Sequence, residues 1–154
     1  MIPDNEKLSY EYIRGLVEGE GCFTFCSVKR RKDDIEEFRF IIPTFVIGMH
    51  ERDTNLLIMV KNTLKLRNKI NTYPPRERKD GYKRGAMSHL VVRDLGQLKN
   101  IIVPLFYKKL KGNKGIQFEQ WLEKIGNDPA VPDSYKFIYK IYKAGFYDRN
   151  PGFE

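Results

Sequence analysis

Apolar positions in the chain alternate between two periods, and the switches between them mark its elements. In residues 8–25 Ile13, Leu16 and Val17 recur at helical spacing, with Glu20 continuing their stripe. Ser9 stands ahead of them as an N-cap, a side chain that accepts from the first free amides of a helix. At Gly21 the pattern becomes strict alternation through Cys22, Phe23, Thr24, Phe25 and Cys26, so a helix hands over directly to a strand. Strand alternation runs to about residue 30 and resumes over 37–49 after a charged turn, which gives a long antiparallel hairpin across 21–49. Ile41, Phe45 and Ile47 share one face of it, Thr44 and Val46 the other. Pro43, which cannot donate to a ladder, predicts a sheet edge or a bulge.

The following segment, 53–65, is helical, with Asp53 as cap and Leu56, Leu57, Val60 and Leu64 as its stripe. A second hairpin pairs 69–73 with 82–93 around a turn ending in Asp80-Gly81, where glycine accepts a positive φ. Asp94 opens a helix through Leu95, Leu98, Ile101 and Ile102 that should break at Pro104. A basic linker, 107–114, leads to helices at 116–125 and 134–144, joined by a loop at 126–132; 145–154 shows no period. The order is α+β: helix, two strands, helix, two strands, helix, then extra C-terminal helices. We expect one domain over 1–154, with a core of about 8–125 and a helical extension of 126–154. Four antiparallel strands covered by helices on one side leave the other face open.

Composition adds a partner class. The formal charge of +8 favours an anion. Hydrophobic residues at 41%, with 10 Phe and 9 Tyr, supply a core and argue against disorder. No apolar run reaches membrane-spanning length, so no membrane partner is expected. The first residues lack a basic-then-apolar leader, which predicts an intracellular protein. Cys22 and Cys26 share one strand face, poor geometry for a disulfide and consistent with reduced thiols. A zinc site combining them with His50 and His89 lacks any recognised ligand spacing.

The first helix carries two local costs. Gly15 and Gly19 each weaken a helix by about 1 kcal/mol relative to alanine. Glu18 and Glu20 put negative charge at the end where backbone carbonyls already make the potential negative. Spacing alone leaves two readings. Either the glycines end a frayed helix with two solvated glutamates, or they clear a strip on which a second helix backbone packs closely. The second arrangement would gather carboxylates and carbonyls into a hard-oxygen site suited to Mg²⁺.

The run Ile13-Arg14-Gly15-Leu16-Val17-Glu18-Gly19-Glu20-Gly21, followed by Cys-Phe-Thr-Phe, resembles the signature of the LAGLIDADG homing endonucleases, with Arg14 and Gly19 in place of two alanines. The resemblance extends over about 1–125 and implies the αββαββα core domain of that family. It assigns metal binding to Glu20, with the Gly19 carbonyl as a second ligand for Mg²⁺, or for Mn²⁺ or Ca²⁺. It implies a basic residue beside the metal from the segment 110–118, Lys111 first and Lys114 second. A single motif implies a homodimer that pairs Tyr12, Gly15, Leu16 and Gly19 across a two-fold axis. The implied activity is cleavage of both strands of a long pseudo-palindromic DNA site, leaving 3′ overhangs, by an enzyme encoded in an intron or similar mobile element. Its setting would be a prokaryotic cytoplasm, a mitochondrion or a chloroplast. Family members often carry a polar residue where this chain has Met49; His50 or Arg52 are the substitutes at hand. Some relatives are RNA-binding maturases that assist splicing without cutting, which makes the chain's own intron RNA the alternative partner.

Basic residues gather on the hairpins. Lys29, Arg30, Arg31, Lys32, Lys69, Lys83 and Arg84 are placed for phosphates, and Asn71, Tyr73, Arg76 and Arg78 for base edges. Thr24 and Thr44 complete the expected DNA contacts. The same face of the first hairpin also carries Cys22, Cys26, Ile42 and Val46, which points to thymine methyls and DNA shape as part of the readout.

Overall fold

The computed structural model describes residues 6–29, 39–77, 79–81 and 83–154. Helix α1, Tyr10–Glu20, starts as its sequence demands, with the Tyr12 amide donating to Ser9 Oγ at 3.0 Å. It passes at Gly21 into β1, Gly21–Lys29, which pairs antiparallel with β2, Arg39–His50. A tight turn at Glu51–Asp53 leads into α2, Thr54–Leu64. The expected cap on α2 is not made. Asp53 has no capping bond, and the Thr54 hydroxyl bonds the Glu51 carbonyl at 2.6 Å instead.

The second hairpin is more broken than its alternation suggests. Strand β3, Ile70–Tyr73, pairs with β6, Met87–Val92, while β4, Arg76–Glu77, and β5, Lys83–Arg84, form a separate small ladder. The main sheet has the order β1-β2-β6-β3. Phe45, Ile47, Leu90 and Val92 are fully buried on its covered side. There Phe23 meets Phe45, Phe118 and Trp121 at ring-centroid distances of 5.3, 4.8 and 5.4 Å.

Pro43 corrects one expectation, because β2 is an interior strand. The missing donor is harmless for a local reason. Strand β6 stops at Val92, opposite Phe45, so β2 has only β1 beside it at Pro43. The Ile41 amide, on the same side of the strand as the absent one, donates to the Ala130 carbonyl at 3.0 Å.

Pro104 does not end its helix either. Helix α3, Leu95–Gln97, continues through a π-helical turn, Leu98–Ile102, into α4, Val103–Phe106. In that wider turn Val103 donates to Leu98 five residues back, so the next amide would seek Lys99. Proline has none to offer, and the Tyr147 hydroxyl donates to the Lys99 carbonyl at 2.9 Å in its place. Burial pushes the Tyr147 phenol up, so it keeps its proton. Helix α5, Asn113–Asn127, starts three residues earlier than expected, and α6, Asp133–Lys143, crosses it closely; a Cβ on Gly126 would collide with the Tyr139 ring. The aperiodic tail holds a short helix, α7, Phe146–Arg149. None of the helices among the described residues is long and apolar enough to cross a membrane.

Candidate active site and nucleic-acid interface

Helix α1 has two faces. Ile13, Arg14 and Val17 are buried, whereas Tyr12, Gly15, Gly19 and Glu20 are exposed and Leu16 is half-buried. A Cβ on Gly15 or Gly19 would meet nothing within 4 Å, so the strip is open space. The tight fit that could explain two glycines is not made within this chain. Tyr12, 50% exposed, lies beside them.

The C-terminal end of α1 is tied to the start of α5. Amides of Lys111 and Gly112 donate to the Glu18 carboxylate at 3.0 and 2.7 Å, and Lys114 Nζ donates to the Gly21 carbonyl at 2.6 Å. Charge-assisted bonds of this kind are the strong class. Glu18, which sequence reasoning left without a role, therefore fixes the loop that carries both candidate lysines; an acid two residues before Glu20 is its only mark in the sequence. Lys111 is exposed, while the Lys114 ammonium is engaged on Gly21. Behind this loop lies a groove of about 520 Å³ walled by Phe106, Leu110, Phe118, Leu122 and Tyr142, and Glu20 does not line it.

Glu20 and the last-turn carbonyls offer hard oxygens. Gly21 caps the helix by donating to Val17, which leaves the carbonyls of Glu18, Gly19 and Glu20 without helical partners. That donor set suits a hard divalent ion. Among the described residues no three His, Cys, Asp or Glu side chains cluster as metal ligands, so the zinc grouping is not assembled.

On the open face of the sheet the register aligns Asn71 with His89 and Gly48, Val91 with Val46 and Cys22, and Thr24 with Thr44. Asn71 and Tyr73 are exposed there, and Tyr73 packs on His89 with ring centroids 4.7 Å apart. Lys29, Lys69 and Arg76 are exposed as well, and Lys83 and Arg84 form β5. Arg30, Arg31, Lys32 and Arg78 lie outside the described residues. Thr24 is half-buried, and its carbonyl accepts from Trp121 Nε1 at 2.8 Å. Thr44 departs from expectation. It is 3% exposed and its hydroxyl donates to the Ile42 carbonyl at 2.9 Å, so the fold uses the group that was to meet DNA. Arg93, which ends the strand expected over 82–93 with no DNA role assigned to it, is exposed on this face and donates from Nη1 to Cys26 Sγ at 3.2 Å. Its alternation with His89 and Val91 marks it for this face.

The sequence model of the family described as LAGLIDADG endonuclease matches residues 13–125. The chain belongs to the LAGLIDADG endonuclease family. Among solved structures, the homing endonuclease I-TnaI is 22% identical with a TM-score of 0.57, over 94% of each chain. I-LtrWI, a LAGLIDADG homing endonuclease bound to target DNA, is 19% identical at a TM-score of 0.59, over 92% of this chain and 45% of that one. I-SmaMI bound to cleaved DNA is 20% identical at 0.59, with the same coverage; it has also been solved on an uncleaved DNA target in the presence of calcium ions. These likenesses show a shared LAGLIDADG fold. The chain spans nearly all of I-TnaI and less than half of the other two.

Proposed function

We propose that this LAGLIDADG endonuclease acts as a homodimer that hydrolyses both strands of a long, pseudo-palindromic double-stranded DNA site, with Mg²⁺ as the working ion. One observation carries the reading: Tyr12, Gly15 and Gly19 form an open strip on α1, and exposed Glu20 ends the same helix. A second copy of α1 laid on that strip brings two Glu20 carboxylates and two Gly19 carbonyls together. Coverage of less than half of I-LtrWI and I-SmaMI supports two copies doing the work of one longer chain.

A divalent ion bound there supplies a Lewis acid and lowers the pKa of water. Around it the chain's own residues have separate tasks. Glu18 positions the loop, Lys111 neutralises charge developing on the phosphate, and Lys114 holds the junction between α1 and β1. Hairpin cations grip phosphates, and Asn71, Tyr73 and Arg76 face base edges. An intron or similar mobile element, in a prokaryotic cytoplasm or an organelle, is the setting this activity suits.

Incubation with a randomised DNA library and Mg²⁺, followed by sequencing of the ends, tests the reading. Recovery of a pseudo-palindromic site is expected, and no cleavage at any sequence would sink it. Glu20→Gln should bind the recovered site and leave it whole, as should wild type in EDTA. A solution mass of one chain, with and without DNA, would exclude the dimer.

A further inference from the structure

Family resemblance expects a polar side chain at position 49, near the end of β2, where water must be ordered. The structure turns Met49 the other way. It follows Phe45 and Ile47 on the covered side, opposite buried Ser88, and packs against the core. Its two polar neighbours in sequence make local contacts. His50 Nδ1 accepts from the Arg52 amide at 3.1 Å, and the Arg52 guanidinium lies 4.0 Å from the Asp53 carboxylate.

What occupies the open face at this level is His89. It pairs with Gly48 across the β2–β6 ladder and with Asn71 on its other side. Its ring lies over the glycine, since a Cβ built on Gly48 would stand 3.0 Å from both Cδ2 and Nε2. Tyr73 backs the ring. Register links this row to the acid. Gly21 is opposite Ile47, so Glu20, one step before Gly21, and Gly48, one step after Ile47, lie at the same end of the β1–β2 ladder. Gly48, the residue between them in this row, contributes no side chain.

We propose that His89 is a further catalytic residue, cradled by Gly48, whose imidazole hydrogen-bonds the water that attacks the scissile phosphate. This rests on the endonuclease reading above. Imidazole is suited to the task because a neutral ring offers one acceptor and one donor. Accepting from the water aims its lone pair at phosphorus. The water oxygen bonds to phosphorus as the P–O3′ bond breaks; one water proton ends on the departing O3′, and the other leaves the new 5′-phosphate for solvent. His89 thus fills, from a different strand, the place that position 49 leaves apolar.

The test uses the DNA site recovered from the library. Single-turnover cutting in Mg²⁺ and affinity in Ca²⁺ are measured for wild type, His89→Ala, His89→Gln and Gly48→Ala. His89→Ala should slow cutting on the order of 10²-fold and keep affinity within about threefold, the pattern of a group used in the chemical step. His89→Gln, which retains a hydrogen-bonding group, should recover much of the rate. Gly48→Ala, which displaces the ring without removing it, should fall between. His89→Ala cutting within about twofold of wild type would overturn the proposal, as would a loss of rate matched by an equal loss of affinity. Either result with an active wild type leaves the endonuclease reading standing; an inactive wild type removes both.

Discussion

Two glutamates sit two residues apart on α1 and do different work because a helix turns them to different sides. Glu20 faces out at the helix end, while Glu18 reaches across to the amides of Lys111 and Gly112. Removing the Glu18 carboxylate leaves two backbone donors to find water. Glu18→Ala should cost roughly 1–3 kcal/mol of stability by urea titration, and it should slow cutting by more than the lost folded fraction explains, because Lys111 loses its anchor. Equal activity per folded molecule would confine Glu18 to a structural part. The pair shows what residue-level reading can reach. The spacing of the two acids and the neighbouring glycines marks the candidate site; the use of Glu18 depends on a loop 93 residues away and leaves no local trace. Arg14 makes the same point. Within the motif it stands where the family has alanine, yet it is 4% exposed and donates to Leu105 and Phe153 carbonyls at 2.8 and 2.6 Å.

At the scale of elements, periodicity located α1, β1, β2, α2, α5 and α6 to within a few residues, because each buries one stripe or face. It failed where a distant partner alters a local rule. The π turn before Pro104 is one case, where Tyr147 from the tail takes over a carbonyl the proline leaves unpaired. Tyr147→Phe removes that donor and keeps the ring, so about 1 kcal/mol of stability should be lost, read as a lower urea midpoint with unchanged slope. No change would mean the carbonyl finds another donor. The split second hairpin is another case. Pro74 and Pro75 interrupt the pairing, and β4 and β5 resume it as a separate ladder.

For the whole molecule, the open strip on α1 separates folding from the proposed assembly. Gly15 has nothing near its would-be Cβ, so Gly15→Phe should leave the lone chain folded, or more stable by up to about 1 kcal/mol, since glycine is the poorer helix former. The same change would hold two α1 backbones apart. A normal melting curve with a one-chain sedimentation mass and no cutting is expected; full activity from this variant would show that the strip is not the seam.

The β1–β2 ribbon has a metrical consequence. Beyond the end of β6 it continues alone for six pairs, from Thr24 opposite Thr44 to Lys29 opposite Arg39. A strand climbs about 3.4 Å per residue, close to the roughly 3.4 Å between successive nucleotides of a DNA strand. Laid along the proposed DNA site, Thr24, Cys26 and Val28 would meet every second base pair, while Phe25 and Ser27 between them look away. Retargeting the enzyme along this arm should move in strides of two base pairs.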